Sequence, residues 1–275
     1  QIPGSWLASS LAKLHGVPFV LRAGYLWSDS IGQVKRNHLY GMLLRKWILW
    51  KEKMLCRRAN AIIVSASNIK KSMISKHGIC AEKIFVIGTP VDTSLFKPHS
   101  EIPLEADVLM IGRLSEQKNY EESIAAIAKL GLSATIVGRG ELKNQLHDLA
   151  ESLNARIHWI DRVENEKIPD LMAKHRCYLI ASHWEGCSKS LLEALSCGML
   201  CIASDINENQ DIIKDNVNGL LCDRSSSGIA LALSRATTES DHEEIRANAR
   251  KLIVSKYSVE NAVEREFELY ESLLS

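Results

Sequence analysis

Residues 177–198 read Cys177-Tyr178-Leu179-Ile180-Ala181-Ser182-His183-Trp184-Glu185-Gly186-Cys187-Ser188-Lys189-Ser190-Leu191-Leu192-Glu193-Ala194-Leu195-Ser196-Cys197-Gly198. The first five form a short apolar run suited to a buried parallel strand, whereas Leu191, Leu192, Ala194 and Leu195 recur at helical spacing. A helix therefore starts near Ser188, with Glu185 and Glu193 on either side of that start, eight residues apart. The first backbone N–H groups of a helix lack internal partners and carry the positive end of its dipole, so a diphosphate can dock there. Glu185 falls in the turn before those donors and Glu193 more than a turn inside the helix, at most about 12 Å away at ~1.5 Å per residue. That is roughly the length of a diphosphate with a sugar ring at either end. One carboxylate can accept from hexose hydroxyls and the other from ribose hydroxyls.

Outward from this stretch, strand and helix patterns alternate. Segments 108–111, 134–137, 157–160, 178–181 and 200–203 read as strands, separated by helical stretches near 119–130, 141–152, 165–174 and 188–197. Upstream, 17–21, 61–64 and 84–87 read as strands, with helices over about 32–57 and 67–76. Such alternation implies βαβ units around parallel sheets, whose ligands sit outside the carboxyl ends of the strands. Segment 88–98 carries two prolines and breaks the pattern, as an interdomain linker does. Helices over about 226–236, 242–254 and 258–273 close the chain.

Composition bounds the partners. The 275 residues are 46% hydrophobic and can bury a large core, while 34 basic against 33 acidic residues leave +1, which argues against nucleic acid. Seven cysteines with no C-x-x-C pair read as free thiols rather than zinc ligands. The nine histidines show no metal spacing. No signal peptide and no run near the ~20 apolar residues needed to span a bilayer are visible, so a cytoplasmic address is expected.

Two carboxylates at this spacing also occur as a loop glutamate followed by a solvated helix glutamate, and the surrounding motifs separate the readings. They are Met110-Ile111-Gly112-Arg113-Leu114-Ser115-Glu116-Gln117-Lys118-Asn119, the Ile136-Val137-Gly138-Arg139-Gly140 turn, Met199-Leu200-Cys201-Ile202-Ala203-Ser204-Asp205 and Asn218-Gly219-Leu220-Leu221. With the E-x7-E pair, and in this order from Asp107 to Cys222, they resemble the donor-binding half of the family 4 retaining glycosyltransferases. The resemblance implies an α/β protein of the GT-B type with two Rossmann-like, doubly wound domains. By it, residues 1–97 are part of an acceptor-side domain, 98–254 are the nucleotide-sugar donor domain, and 255–275 form a helix crossing back to the first. It also implies strands preceding the point matched by Gln1, so this chain by itself is expected to bind nucleotide weakly and transfer sugar poorly.

The implied donor is a nucleoside-diphosphate sugar, with no metal and no cofactor; there is no Asp-x-Asp motif. Glu185 is matched to the position that holds sugar hydroxyls and Glu193 to the one that holds the ribose. Arg113 and Lys118 match the cations on the diphosphate, where bidentate guanidinium and compact ammonium stabilise charge developing on a leaving group. Donor binding is further assigned to Gly112, Gly138, Gly140, Gly186 and the backbone of Ser188, Lys189, Ser190 and Leu191. Arg162 and Val163 match the segment that meets the nucleobase, although Asp161 replaces its usual glycine and leaves the base open. Lys143 stands where a dinucleotide fingerprint needs its third glycine, which argues against hydride transfer.

The acceptor side is less defined. Arg22, Tyr25 and Asp29 follow the first strand and are candidates to shape it. Residues 35–58 hold eight basic residues and one acid, Glu52, with Trp47 and Trp50 among the apolar positions. That pattern suits an anionic membrane surface and equally a packed helix with a basic outer face. The implied acceptor is a glycan or a lipid-linked glycan. A GT-B sugar-nucleotide epimerase and a noncatalytic nucleotide-sugar binding module are the alternatives.

Overall fold

The structure, a computed structural model, describes residues 2–24, 39–99, 102–238 and 242–275. Tyr25, Asp29, Lys35 and Arg36 lie outside them. The chain divides into two compact units, Gln1–Thr89 with Ala262–Ser275, and Pro90–Asn261. Residues 90–97 belong to the second unit, because Val91 and Phe96 are buried in its core.

In the first unit, β1 (Val20–Ala23), β2 (Ala61–Val64) and β3 (Ile84–Val86) form a three-stranded parallel sheet in that order. β1 begins at Val20 rather than at 17, after Phe19 is tied to Asn60 by a backbone bond and by the Asn60 side chain. Helix Ile2–His15 precedes it and was not anticipated; its signal is Leu7, Leu11 and Leu14 at helical spacing, ended by Gly16 in the left-handed region at φ 64°. Helix Leu39–Arg58 turns Ile48, Glu52, Leu55 and Cys56 inward, one face of a helix. The last helix, Val259–Leu274, lays Ala262 and Leu269 on Ala61 and Ile63.

The second unit is a six-stranded parallel sheet in the order β6-β5-β4-β7-β8-β9. Its strands are β4 (Ala106–Ile111), β5 (Ser133–Val137), β6 (Arg156–Ile160), β7 (His175–Ile180), β8 (Leu200–Ser204) and β9 (Leu220–Cys222). The three-residue β9 falls in the Asn218–Leu221 motif, too short for periodicity to reveal. Period-two alternation sends Val108, Cys177, Leu179, Leu200 and Ile202 to one core. Leu109, Tyr178, Ile180, Cys201 and Ala203 go to the other. Both faces are therefore covered by helices, which is why these strands read as continuous apolar runs.

Candidate donor-binding site

β4 and β7 are neighbours in register, Leu109 opposite Tyr178, and end at the same edge. After β4 the chain leaves for helix Tyr120–Leu130 on one face; after β7 it leaves for helix Lys189–Ser196 on the other. Where two such connections diverge, a crevice opens at the carboxyl ends of the strands. A cleft of about 430 Å³ occupies that point. Gly112, Arg113 and Lys118 line it from the β4 side. Glu185, Ser188, Lys189, Ser190 and Glu193 line it from the β7 side.

Lys118 and Glu185, 67 positions apart, meet as an ion pair at 2.6 Å, and Ser182 Oγ donates to the same carboxylate oxygen at 2.6 Å. Side-chain to backbone bonds hold the two loops together. Asn119, in the left-handed region, donates its amide to Ala181 O at 3.1 Å and Arg224 O at 2.9 Å. Gln117 donates to Trp184 O and accepts from His183 N, both at 2.8 Å. Arg113 is exposed, and among the described residues its guanidinium makes no hydrogen bond.

Helix Lys189–Ser196 starts after Ser188, which makes no side-chain cap, and its first turn holds no acid. The Ser188 hydroxyl lies instead 3.4 Å from Ser190 Oγ, which accepts from Tyr178 Oη at 2.7 Å and lies 3.4 Å from Ile111 O. The backbone N–H groups of the first turn stay available for an anion. One turn in, the Glu193 side chain is 6% exposed and its Oε1 lies 3.3 Å from Lys189 Nζ without a well-formed hydrogen bond. Burial raises the Glu193 carboxyl above its ordinary value, and the nearby Lys189 opposes that shift.

Other expected residues stand apart from the cleft wall. A Cβ on Gly138 would lie 1.9 Å from Gly112 O, and one on Gly140 2.1 Å from Leu114 O. Both glycines thus let the 138–140 turn close on the Gly112–Leu114 loop, which it binds through Leu114 N to Arg139 O at 3.0 Å. Leu191 is fully buried with its side chain in the core. Arg162 is exposed after β6, Val163 packs on the core, and neither they nor Gly186 line the cleft.

A family model described as glycosyl transferases group 1 matches residues 92–252, more than half of the chain and the whole of this site. The chain belongs to the group 1 glycosyltransferases. A second model, Glycosyltransferase Family 4, matches residues 1–95. This glycosyltransferase is 27% identical over 281 residues to the UDP-Gal:α-D-GlcNAc-diphosphoundecaprenol α-1,3-galactosyltransferase of Escherichia coli, covering 94% of this chain and 70% of that protein. Four further relatives are matched more locally, and the chain spans 34–45% of their lengths. Among solved structures it is similar to HepE of Anabaena in complex with UDP, with a TM-score of 0.84 at 19% identity, covering 99% of this chain and 77% of that one. Sucrose-phosphate synthase of Thermosynechococcus elongatus gives 0.83 at 18%, covering 98% and 71%. The fold is GT-B.

The glycosyltransferase site also contains groups the sequence did not single out. Ser182, Asn119 and Gln117 fix the loops, and Asn165 and Cys187 complete the cleft wall. Tyr120 donates to Gly112 O at 3.2 Å; burial and Glu185 push its hydroxyl pKa up, so it stays a neutral donor. Only Asn119 carried a local signal, as a residue type that tolerates the left-handed conformation before a helix.

Proposed function

We propose that this chain transfers a hexose from a nucleoside-diphosphate sugar to a glycan or lipid-linked acceptor, retaining the anomeric configuration and needing no metal. The observation that carries the reading is one cleft at the switch point holding two carboxylates, three cations and an uncapped helix start. In this reading Glu193 accepts from the ribose and Glu185 from the hexose. Arg113, Lys118 and the N–H groups of the first turn hold the diphosphate and stabilise the charge that develops as it leaves. Lys118, already paired with Glu185, couples the two ends of the donor. Gly138 and Gly140 support the Gly112 loop, and the backbone of Arg162 and Val163 meets the base.

The name of the E. coli relative joins UDP-galactose to a diphosphoundecaprenol-linked acceptor. A UDP-hexose with a polyprenyl-diphosphate sugar is accordingly the first pair to test here. Helix Leu39–Arg58 supports a peripheral contact with an anionic membrane, where such an acceptor resides. Lys46, Trp47, Trp50, Arg57 and Arg58 are exposed on it, while Glu52 is buried 3.4 Å from His77. The Lys51 ammonium lies 4.4–5.5 Å from the rings of Trp6, Trp47 and Trp50, so basic and aromatic groups share one patch.

The test is nucleoside diphosphate release from a panel of nucleotide sugars, with and without acceptor and with EDTA, followed by NMR of the product anomer. Acceptor-dependent release with retention is expected. Release of nucleotide without acceptor consumption would favour the epimerase, and binding without turnover the noncatalytic module.

A further inference from the structure

Lys189 is the first residue of its helix, where the dipole already places positive charge and a lysine is disfavoured. Its side chain is 57% exposed and lines the cleft, and its ion-pair partner is Glu193 at 3.3 Å. That pairing is poor on both sides: Glu193 Oε1 is buried without a well-formed hydrogen bond, and the ammonium, more than half exposed, belongs to a lysine at a helix position the dipole disfavours. Lys118, by contrast, is 16% exposed and locked by a 2.6 Å bond to a carboxylate that Ser182 also supports. An exposed cation beside an uncapped helix start, next to a buried carboxylate short of a donor, suits an anion and a hydroxyl pair together.

Resting on the reading of this cleft as a nucleotide site, we propose that Lys189 is a third diphosphate-binding cation, parked on Glu193 when the site is empty. Ribose hydroxyls take over Glu193, and the released ammonium turns to a phosphate oxygen. No covalent bond changes. Recognition of the sugar and of the diphosphate is thereby coupled through one i,i+4 pair.

The experiment is calorimetry of wild type, Lys189→Met and Lys189→Arg with inorganic pyrophosphate and with whichever of UDP, GDP, ADP, CDP and dTDP the wild type binds tightest. The matching nucleoside is titrated in parallel. Lys189→Met is expected to weaken nucleoside diphosphate binding about tenfold, as for one charge-assisted hydrogen bond, and inorganic pyrophosphate, which lacks the ribose that frees the ammonium, by less. Lys189→Arg should restore most of it, and nucleoside binding should be unchanged or tighter, because Glu193 no longer exchanges a partner. Unchanged diphosphate affinity in Lys189→Met overturns the proposal. So do equal losses for nucleoside and diphosphate, which would mean that Lys189 only orients Glu193. If wild type binds none of the diphosphates, the nucleotide-site reading itself falls and this inference with it.

Discussion

Glu193 is a single residue held at a cost to the fold. Its carboxyl is buried and burial raises its pKa, since the unfolded chain solvates the ionised form better than the folded one does. Because the folded value lies above the unfolded one, this contribution favours the native state below the ordinary glutamate range and is lost as pH rises through the folded value. Glu193→Gln should therefore raise Tm at pH 7 relative to wild type, and the gain should vanish in acid below the ordinary glutamate value; a pH-independent difference in melting curves would contradict this. Glu193→Ala should weaken nucleoside diphosphate binding by ~1.5–3 kcal/mol, and Glu185→Ala should lower sugar-donor affinity while sparing the free nucleotide. Equal losses for both ligands in Glu185→Ala would remove that division of roles. At Gly138, with carbonyl oxygen 1.9 Å from any Cβ, alanine should destabilise by about 3 kcal/mol or more in denaturant titration, since backbone must move. The need for glycine there was legible, but its reason is chain against chain.

Among the elements, helix Leu39–Arg58 packs one face inward and leaves a basic outer face, an arrangement that suits both readings of its sequence. Ile48, Glu52, Leu55 and Cys56 pack inward, and the one acid among residues 46–58 is in that buried set, so the outer face is basic and aromatic. The protein should co-sediment with anionic vesicles in preference to neutral ones, and more weakly as salt rises. Replacing Lys46, Lys51 and Lys53 by Gln should cost about 1 kcal/mol for each charge near the surface. Indifference to lipid charge at low salt would leave the basic face as ordinary solvated surface. Among the described residues no helix is long and apolar enough to cross a membrane. A helix start is legible where apolar periodicity sets in: the helix expected from 188 runs Lys189–Ser196. Helix Ile2–His15 is harder to read, because its one apolar stripe, Leu7, Leu11 and Leu14, stays exposed.

For the whole molecule, binding and stability are linked through the second unit. A nucleoside diphosphate at a hundred times its Kd should stabilise the native state by about 2.7 kcal/mol, read as a rise in Tm. At the other end of the cleft-lining helix, Arg250 donates to Thr93 O, Phe96 O, Ser196 O and Ser196 Oγ at 2.6–2.9 Å, tying residues 93–96 to it. Arg250→Met should lower stability by about 2–4 kcal/mol while nucleotide affinity is kept; loss of affinity at unchanged stability would show that the strap tunes the cleft instead. The α/β class, five of the six strands of the second sheet to within a few residues, and the two glutamates beside a helix start are legible in the sequence, because hydrophobic period and helix-end chemistry are local. Only the tertiary structure decided which loops share the cleft, since Lys118 and Glu185 meet through the β4–β7 pairing and not through any spacing along the chain. It likewise decided that Gly138 and Gly140 face backbone, and that Glu193 is buried with Lys189 as its poor partner, for burial and close approach are properties of neighbours that arrive from elsewhere in the fold.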